Sequence, residues 1–205
     1  MTTATKPNKT KLGPLDRGHP MTFDEFMRAD YEEGYEYELI DGELYVLPLP
    51  NLPQNLIEHW MGIKLQDYSR SHPEVINYVT SKARVIVSAR PRATVPEPDQ
   101  AAYHNFPLDK PIKKLRWQDV SPMLVVEVVS RDDPYKDLVR NVKLYLQVPT
   151  IQEYWLLDPR KNPERPTFRV HRRNGKRWRI IQPAFGAVYT TKLLPGFALI
   201  VDPRS

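Results

Sequence analysis

One acidic residue interrupts the most apolar run in the sequence. Residues 123–129 contain only Met, Leu and Val apart from Glu127, which has two valines on each side. An ionised carboxylate among aliphatic side chains costs free energy unless it is paired or coordinated. Pro98-Asp99 supplies a second acid earlier in the chain, with enough residues between for a loop and a returning strand. We expect Asp99 and Glu127 to lie at the ends of neighbouring strands. The alternative is that Glu127 ends its strand and forms a salt bridge.

Two carboxylates at adjacent strand ends predict a particular chemistry. Hard oxygen ligands suit Mg²⁺ or Mn²⁺, with waters and a phosphate completing the coordination shell. Such a metal lowers the pKa of a bound water and neutralises charge on a phosphate that is being cleaved. Asp99 and Glu127 therefore predict a metal site suited to phosphodiester hydrolysis.

Basic residues follow this site on a predicted helix over residues 135–148. Lys136, Arg140 and Lys143 recur at i, i+4 and i+7, so they share one face of an α-helix, largely opposite the apolar side. One interpretation is that this face directs its charges at the scissile phosphate. The other is a solvated basic face, which we favour for Lys136 and Arg140.

A second basic group lies near the end of the chain, where residues 160–179 contain nine Lys or Arg and one acid. Asn174-Gly175 is typical of a hairpin turn, and strand alternation puts much of the flanking charge on one face. Arg173, Lys176 and Arg177 are candidates for contacts with a DNA backbone, alongside Lys136 and Arg140. The alternative is a solvated hairpin.

The elements that must hold these residues follow from periodicity and turn residues. Helices alternate with strands in the middle of the chain and hairpins lie towards both ends, which indicates an α/β (α+β) class with a mixed sheet. The sequence predicts helices over 22–29, 55–71 and 135–148, strands over 75–87, 94–99, 123–129 and 153–157, and hairpins over 35–47 and 168–180, with a last strand or two over 188–201.

Composition excludes several classes of protein. The chain has no cysteine, so disulfides, thiolate catalysis and cysteine zinc sites are ruled out. No apolar run approaches the roughly 20 residues that span a bilayer, and the first 20 residues lack the centre of a signal peptide. We expect a cytoplasmic protein without membrane contact. Residues 1–20 are rich in Pro, Thr and Lys and predict a disordered basic arm, and residues 21–205 predict a single domain.

The sequence resembles the Uma-type family of bacterial restriction endonucleases, a branch of the PD-(D/E)XK nuclease superfamily. The resemblance extends over about residues 21–203 and rests on segments in a fixed order: Tyr37–Glu43, Pro98-Asp99, Val126–Ser130, Asp137 with Lys143–Tyr145, and Glu153–Pro159. It implies a restriction-endonuclease-like fold, a divalent metal and hydrolysis of DNA. It also implies that Asp99 and Glu127 are the metal carboxylates and that Glu38 is an accessory acid near them.

The chain departs from the superfamily pattern at one position. The pattern expects a lysine two residues after Glu127, where this chain has Val129. The resemblance suggests that Lys143 on the following helix takes that role. The alternative is a catalytically degenerate nuclease fold that acts as a DNA-binding or regulatory module. A nuclease acting on structured DNA in repair or mobile elements is a third interpretation, and a homodimer is expected because small nucleases cut two strands.

Overall fold

The computed structural model describes residues 11–205 and is built around a six-stranded mixed sheet. The strands lie in the order β3-β4-β5-β6-β7-β8, and only β5 and β6 are parallel. The sheet strands are β3 (Tyr78–Thr80), β4 (Gln100–Tyr103), β5 (Leu124–Val128), β6 (Glu153–Asp158), β7 (Thr167–Asn174) and β8 (Arg177–Ile181). Two separate hairpins pair β1 (Tyr35–Ile40) with β2 (Glu43–Pro48) and β9 (Val188–Thr191) with β10 (Leu194–Ile200). The predicted mixed sheet with flanking helices and hairpins is confirmed.

Strand β5 is central because both of its faces are covered. All five of its residues are buried. Leu124, Val126 and Val128 pack on one side with the apolar face of helix α2 (Leu52–Ser71), whereas Val125 lies on the other side with Tyr145 of helix α3 (Asn141–Leu146). A strand covered on both faces is expected to be a continuous apolar run, which explains why a single Glu stands out in it.

The first helix and hairpin follow their local signals closely. Helix α1 (Phe23–Arg28) begins after Thr22, whose side chain accepts a hydrogen bond from the backbone of Glu25 while the Glu25 carboxylate accepts from the backbone of Thr22. Asp41 and Gly42 connect β1 to β2 with φ values of 51° and 79°. Positive φ at both positions is what a tight hairpin turn requires, and Asp-Gly supplies it at low cost.

Helix α2 starts earlier than predicted. Asn51 is its N-cap and accepts a hydrogen bond from the backbone of Gln54, so the helix begins at Leu52 instead of Asn55. Pro53 lies in the first turn of this helix, where a missing N–H has no cost. Gln54 and Glu58 of this helix line the same cleft as Asp99.

The third predicted helix is not a uniform α-helix. Residues Lys136–Arg140 form a π-helical turn, in which the backbone N–H of Asn141 donates to the carbonyl of Lys136, and α3 continues from it. A π turn accommodates one more residue than an α turn. Residues after it are therefore rotated about the helix axis relative to the α-helical prediction.

Two of the predicted strands are wrong in extent. The expected long strand over 75–87 is limited to β3, because Lys82 adopts a φ of 53° and turns the chain away from the sheet. Residues 85 and 87 then bond to residues 96 and 94 outside the main sheet. The strand expected to end near Asp99 instead begins after it, since β4 starts at Gln100. Asp99 therefore lies at a strand entrance.

The predicted disordered arm is corrected for its second half, and residues 1–10 lie outside the described residues. Leu12 bonds to the backbone of Asp30 and Gly18 to that of Leu44, each by an N–H···O bond of 2.9 or 2.8 Å. A short 3₁₀ turn over Pro14–Asp16 lies between these contacts. Residues 11–20 are therefore packed along the β1–β2 hairpin. Of the helices in residues 11–205, none combines the length and apolar character needed to cross a bilayer.

Candidate active site

Asp99 and Glu127 meet at one end of the central sheet. Gln100, the first residue of β4, pairs with Val126 of the antiparallel strand β5, so Asp99, which precedes Gln100, comes next to Glu127, which follows Val126. The backbone N–H of Asp99 donates to Oε2 of Glu127 at 3.4 Å, and the N–H of Val128 donates to Oδ2 of Asp99 at 2.6 Å. The predicted proximity of these two acids is confirmed.

The carboxylate of Glu127 is fully buried and held from the helix side. Its Oε1 accepts hydrogen bonds from Nδ2 of Asn141 and from the hydroxyl of Tyr145, both at 2.8 Å. With Oε1 engaged by these two donors, Oε2 is the oxygen nearest to Lys136 and to the backbone of Asp99. Asn141 and Tyr145 fix the orientation of Glu127, because each donates to the same oxygen.

The π turn brings a lysine into this group of acids. Nζ of Lys136 lies 3.5 Å from Glu127 Oε2, 3.4 Å from Asp137 Oδ1 and 3.9 Å from Glu38 Oε1, and only 7% of Lys136 is exposed. Burial acts to lower the pKa of Lys136, but the surrounding carboxylates, Glu127 first, raise it well above its usual value. Lys136 therefore stays protonated among the acids.

Glu38 joins the same group from the β1–β2 hairpin. Its Oε2 accepts a hydrogen bond from the guanidinium of Arg140, and its Oε1 accepts one from the backbone N–H of Glu97 at 3.2 Å. Burial acts to raise the pKa of Glu38, but the charges of Lys136 and Arg140 outweigh it and lower the pKa. The side chain of Glu38 is thus an ionised partner of both cations.

We call these six side chains the acid–lysine cluster, which comprises Glu38, Asp99, Glu127, Lys136, Asp137 and Arg140. Four carboxylates meet two cations, so full ionisation leaves two negative charges in excess. Burial and the neighbouring Glu127 charge raise the pKa of Asp99 well above its usual range. Burial likewise raises the pKa values of Glu127 and Asp137, although Lys136 opposes the shift in both. The cluster therefore favours an additional positive charge.

A cleft opens onto the cluster from solvent. One part is lined by Asp99, Lys136 and Asp137, and an adjoining part of about 400 Å³ is lined by Asp99, Glu58 and Lys82. Burial and the nearby Glu36 charge raise the pKa of Glu58 to about 7. The cleft wall is therefore acidic, with Lys82 as an exposed cation on one side.

The donor set of the cluster fits a divalent cation with a largely aqueous shell. Within residues 11–205, no three Asp, Glu or His side chains are grouped to hold a metal ion. Oδ1 of Asp99 has no hydrogen-bond partner in the same part of the chain, and the cluster has two excess negative charges. Mg²⁺ usually keeps several waters and binds through one or two carboxylates, which Asp99 and Glu127 can supply.

Lys143 lies outside the cluster, so its predicted position is wrong. Its side chain is exposed on the outer surface of α3 and forms no ion pair with the described carboxylates. The prediction assumed α-helical spacing through residues 136–143, whereas the π turn adds a residue before Lys143 and rotates it away. Lys136 and Arg140, for which the sequence predicts a solvated face, are the two residues that turn inward.

Arg173 is also not available for a DNA backbone. Its guanidinium donates to four carbonyl oxygens at the end of α3, those of Tyr145 (3.2 Å), Leu146 (3.1 Å), Val148 (2.8 Å) and Ile151 (2.6 Å). Carbonyls at a helix C-terminus lack intrahelical donors, so Arg173 acts as a cap. The side chains of Lys136 and Arg140 face carboxylates within the cluster instead of an exposed helix face.

Lys176 and Arg177 are exposed, but the sheet register separates them from the cluster. Glu127 pairs with Leu156, which pairs with Arg169, whereas the hairpin tip begins five residues later at Asn174. At about 3.3 Å per residue, the tip lies roughly 17 Å further along the sheet, towards its opposite end. The structure does not bring these two residues together with Asp99 and Glu127.

Three site residues escaped prediction, each for lack of a local pattern. Asn141 and Tyr145 are one helical turn apart and could have been selected as polar residues on the face of a helix that packs over Glu127. Asp137 belongs to one of the segments that carry the family resemblance, but the sequence assigns it no role. The π turn rotates the residues that follow it, so the inward face of this helix depends on where the turn lies. No residue pattern in the sequence marks that position.

The fold and the site together define a class of protein, the restriction-endonuclease-like nuclease fold. A mixed sheet places two acids at the ends of adjacent central strands, with a lysine ammonium beside them. This chain belongs to the Uma2 family, described as "Putative restriction endonuclease", whose model matches residues 23–202.

A solved structure shares the fold. The crystal structure described as that of "a putative nuclease belonging to DUF820 from Anabaena variabilis ATCC 29413" is 15% identical in sequence, with a TM-score of 0.64. The match covers 89% of this chain and 96% of that chain. Among curated proteins, none matches this sequence. The solved structure shows the shared fold, and the family description supports nuclease function.

Proposed function

We propose that this protein is a metal-dependent DNA endonuclease that hydrolyses phosphodiester bonds at the acid–lysine cluster. The observation that carries the proposal is the position of Lys136, which lines an acidic cleft and whose ammonium lies 3.5 Å from Oε2 of Glu127. Val129, at the position where the superfamily pattern expects lysine, is fully buried in the core. Residues two apart on a strand share a face, so a lysine at 129 would approach the region that Lys136 reaches from the π turn.

In the proposed mechanism, Asp99 and Glu127 would hold Mg²⁺ or Mn²⁺. The bound metal would supply an activated water and charge neutralisation at the phosphate. Lys136 donates to a non-bridging phosphate oxygen and stabilises the negative charge that develops there. Asn141 and Tyr145 keep Glu127 in one orientation by binding its Oε1. Glu38 orients the cations through its contacts with Arg140 and Lys136.

A binding or regulatory module with this fold is the second candidate. It was favoured by the missing lysine at position 129, and the position of Lys136 weakens that argument because the charge is present. Two such sites are needed to cut both strands of a duplex at one place. We therefore retain a homodimer as a prediction, testable by the mass of the protein in solution with and without DNA.

The test is nicking of supercoiled plasmid DNA in Mg²⁺, Mn²⁺ or EDTA. We expect the wild-type chain to produce open circles with either metal and none in EDTA. Asp99→Asn should reduce the rate about 100-fold or more, because a neutral amide is a poor ligand for a hard cation. The matched control is Asp109→Asn, an exposed change in the loop after β4, which should cut like the wild type.

Two outcomes would contradict the proposal. Nicking by Asp99→Asn at the wild-type rate would remove the cluster from the reaction. A wild-type protein that binds DNA but fails to cut any plasmid or structured DNA with either metal would favour the binding module.

A further inference from the structure

Basic side chains gather at the end of the sheet that carries the acid–lysine cluster. β6 runs parallel to β5, so Asp158 and the residues after it emerge at the same end as Glu127. β7 starts at this end, because Thr167 pairs with Asp158. Four of the basic residues at this end are Arg131, Arg160, Lys161 and Arg169, and we call these four the "β6–β7 rim".

Arg169 is level with Glu127 across the sheet. Glu127 pairs with Leu156 and Leu156 with Arg169, and residues opposite one another share a face. The neighbours of Arg169 in β7, Phe168 and Val170, point into the core on the opposite face. With strands about 4.8 Å apart, the backbone of Arg169 is about 10 Å from that of Glu127.

The loops after β5 and β6 bring the rest of the rim together. The guanidinium of Arg131 lies against the backbone carbonyl of Arg160, with an Nη2 to O distance of 3.4 Å. Arg131 and Lys161 are exposed, and Arg169 is half-buried. None of these three side chains has a carboxylate partner in the described part of the chain.

Arg160 differs from the others because it is paired. Its guanidinium binds both oxygens of Asp158 at 2.8 and 2.7 Å. Burial acts to raise the pKa of Asp158, but these bonds and the charges of Arg160 and Arg169 lower it. Arg160 thus stabilises the end of β6, while Arg131, Lys161 and Arg169 form no salt bridge within residues 11–205.

We infer that the β6–β7 rim binds the phosphate backbone of DNA, and that the hairpin tip at Lys176 and Arg177 does not. The inference rests on the proposed function. A duplex whose scissile phosphate enters the acidic cleft is repelled by its carboxylates unless cations hold the neighbouring phosphates. The rim supplies such cations, and the backbone of Arg169 is about 10 Å from that of Glu127.

Salt-dependent binding to a 30-base-pair duplex in EDTA, where cleavage is prevented, tests the rim. The rim variant is Arg131→Gln/Lys161→Gln/Arg169→Gln, and the matched control is Lys114→Gln/Lys176→Gln/Arg177→Gln. Each removes three positive charges, but the control residues are exposed at the other end of the sheet. Arg160 is left intact because its removal would leave Asp158 unpaired.

We expect the rim variant to bind at least tenfold more weakly and its slope of log K against log salt to fall by about 2–3, since each phosphate contact contributes about 0.9. The control should keep the wild-type slope. Arg131→Gln/Lys161→Gln changes only exposed side chains and should lower the slope by about 2, which covers the case in which the triple variant misfolds. Arg131→Lys/Arg169→Lys should keep the slope, because the charge remains.

The outcomes separate the rim from the nuclease activity. A wild-type protein that cuts plasmid while the rim variants bind like the wild type would overturn the rim and leave the function standing. If the control variant instead lost the dependence of log K on log salt, the DNA-backbone contact would lie at the hairpin tip and not at the rim. Rim-dependent binding without cleavage would support the rim and favour the binding module. A wild-type protein that neither binds nor cuts would overturn both.

Discussion

At the scale of single residues, the position of one cation decides how the site is interpreted. Lys136 is buried among three carboxylates, whereas Lys143 faces away from them. Desolvating an ammonium group costs free energy unless nearby acids offset it. Burial acts to lower the pKa of Lys136, but Glu127, Asp137 and Glu38 raise it, which indicates that these acids offset the desolvation. Its charge is therefore a fixed part of the cluster.

Substitution of each lysine by methionine separates the two positions. We expect Lys136→Met to reduce DNA cleavage about 100-fold or more, because a charge-stabilising donor is lost. It should also lower the free energy of unfolding by roughly 3–5 kcal/mol, since three buried acids lose their common partner. Lys143→Met should change neither quantity. Plasmid nicking and urea unfolding measure both, and equal activity of the two variants would exclude Lys136 from catalysis.

At the scale of secondary-structure elements, the helix that supplies Lys136 is fixed at its far end by the sheet. Arg173 of β7 donates to four carbonyls around the end of α3. Trp178 of β8 adds a hydrogen bond from Nε1 to the carbonyl of Val142 at 2.8 Å. The β7–β8 hairpin therefore holds α3 in place, which its basic composition alone did not indicate.

This capping role predicts an effect on stability. Arg173→Ala should lower the free energy of unfolding by about 2–3 kcal/mol, because several charge-assisted bonds to helix carbonyls are lost together. Lys176→Ala, an exposed change three residues away, should stay within about 0.5 kcal/mol of the wild type. Urea denaturation followed by circular dichroism compares the two variants. An Arg173→Ala effect as small as that of Lys176→Ala would contradict the capping role.

The same sheet face contains a histidine whose protonation opposes folding. His171 is buried between Tyr154 and Trp178, and its Nδ1 has no hydrogen-bond partner in residues 11–205. Burial lowers the pKa of His171 from 6.5 to about 4. Between these values the unfolded chain binds more protons, so stability from this residue is complete above pH 6.5 and is lost as the pH falls towards 4.

Replacing the imidazole isolates this contribution. The melting temperature of the wild type should fall more steeply between pH 6.5 and 4 than that of His171→Phe, which keeps an aromatic ring but cannot be protonated. Thermal unfolding at half-unit pH steps provides the measurement. Parallel profiles for the two proteins would show that His171 does not contribute to the acid response.

Sequence patterns predicted the parts of this molecule that depend on local chemistry. The capping box at Thr22, the Asp-Gly hairpin and the apolar strand around Glu127 each carry their own signal, and the structure contains them. Asp99 and Glu127 were predictable as a pair because a carboxylate in apolar surroundings must be paired or coordinated to offset its desolvation.

The rest depends on contacts between distant segments. The π turn at Lys136–Arg140 changes which residues face inward, and Arg140 within it binds Glu38 of a distant hairpin. Arg173 became a cap because β7 runs beside the end of α3. Lys82 turns the chain out of the sheet without a glycine to mark the position. For each of these residues, the neighbouring sequence is equally compatible with the role that was predicted and with the role that the structure shows.

At the scale of the whole molecule, the cluster joins three parts of the chain. Glu38 comes from the β1–β2 hairpin, Asp99 and Glu127 from the central sheet, and Lys136 from the π turn before α3. The excess negative charge that they share predicts coupling between metal binding and folding. Mg²⁺ should raise the melting temperature of the wild type, because a ligand that binds only the native state stabilises it.

The most direct test of the acid–lysine cluster as a metal-dependent nuclease site is Glu127→Gln. The variant keeps nearly the same volume and loses one negative charge. Lys136 retains Asp137 and Glu38 as partners, so we expect the metal-free variant to be at least as stable as the wild type. It should neither nick plasmid DNA in Mg²⁺ or Mn²⁺ nor gain melting temperature with either ion. A variant that cuts like the wild type, or that loses roughly 3–5 kcal/mol as a broken buried ion pair would, would contradict this account.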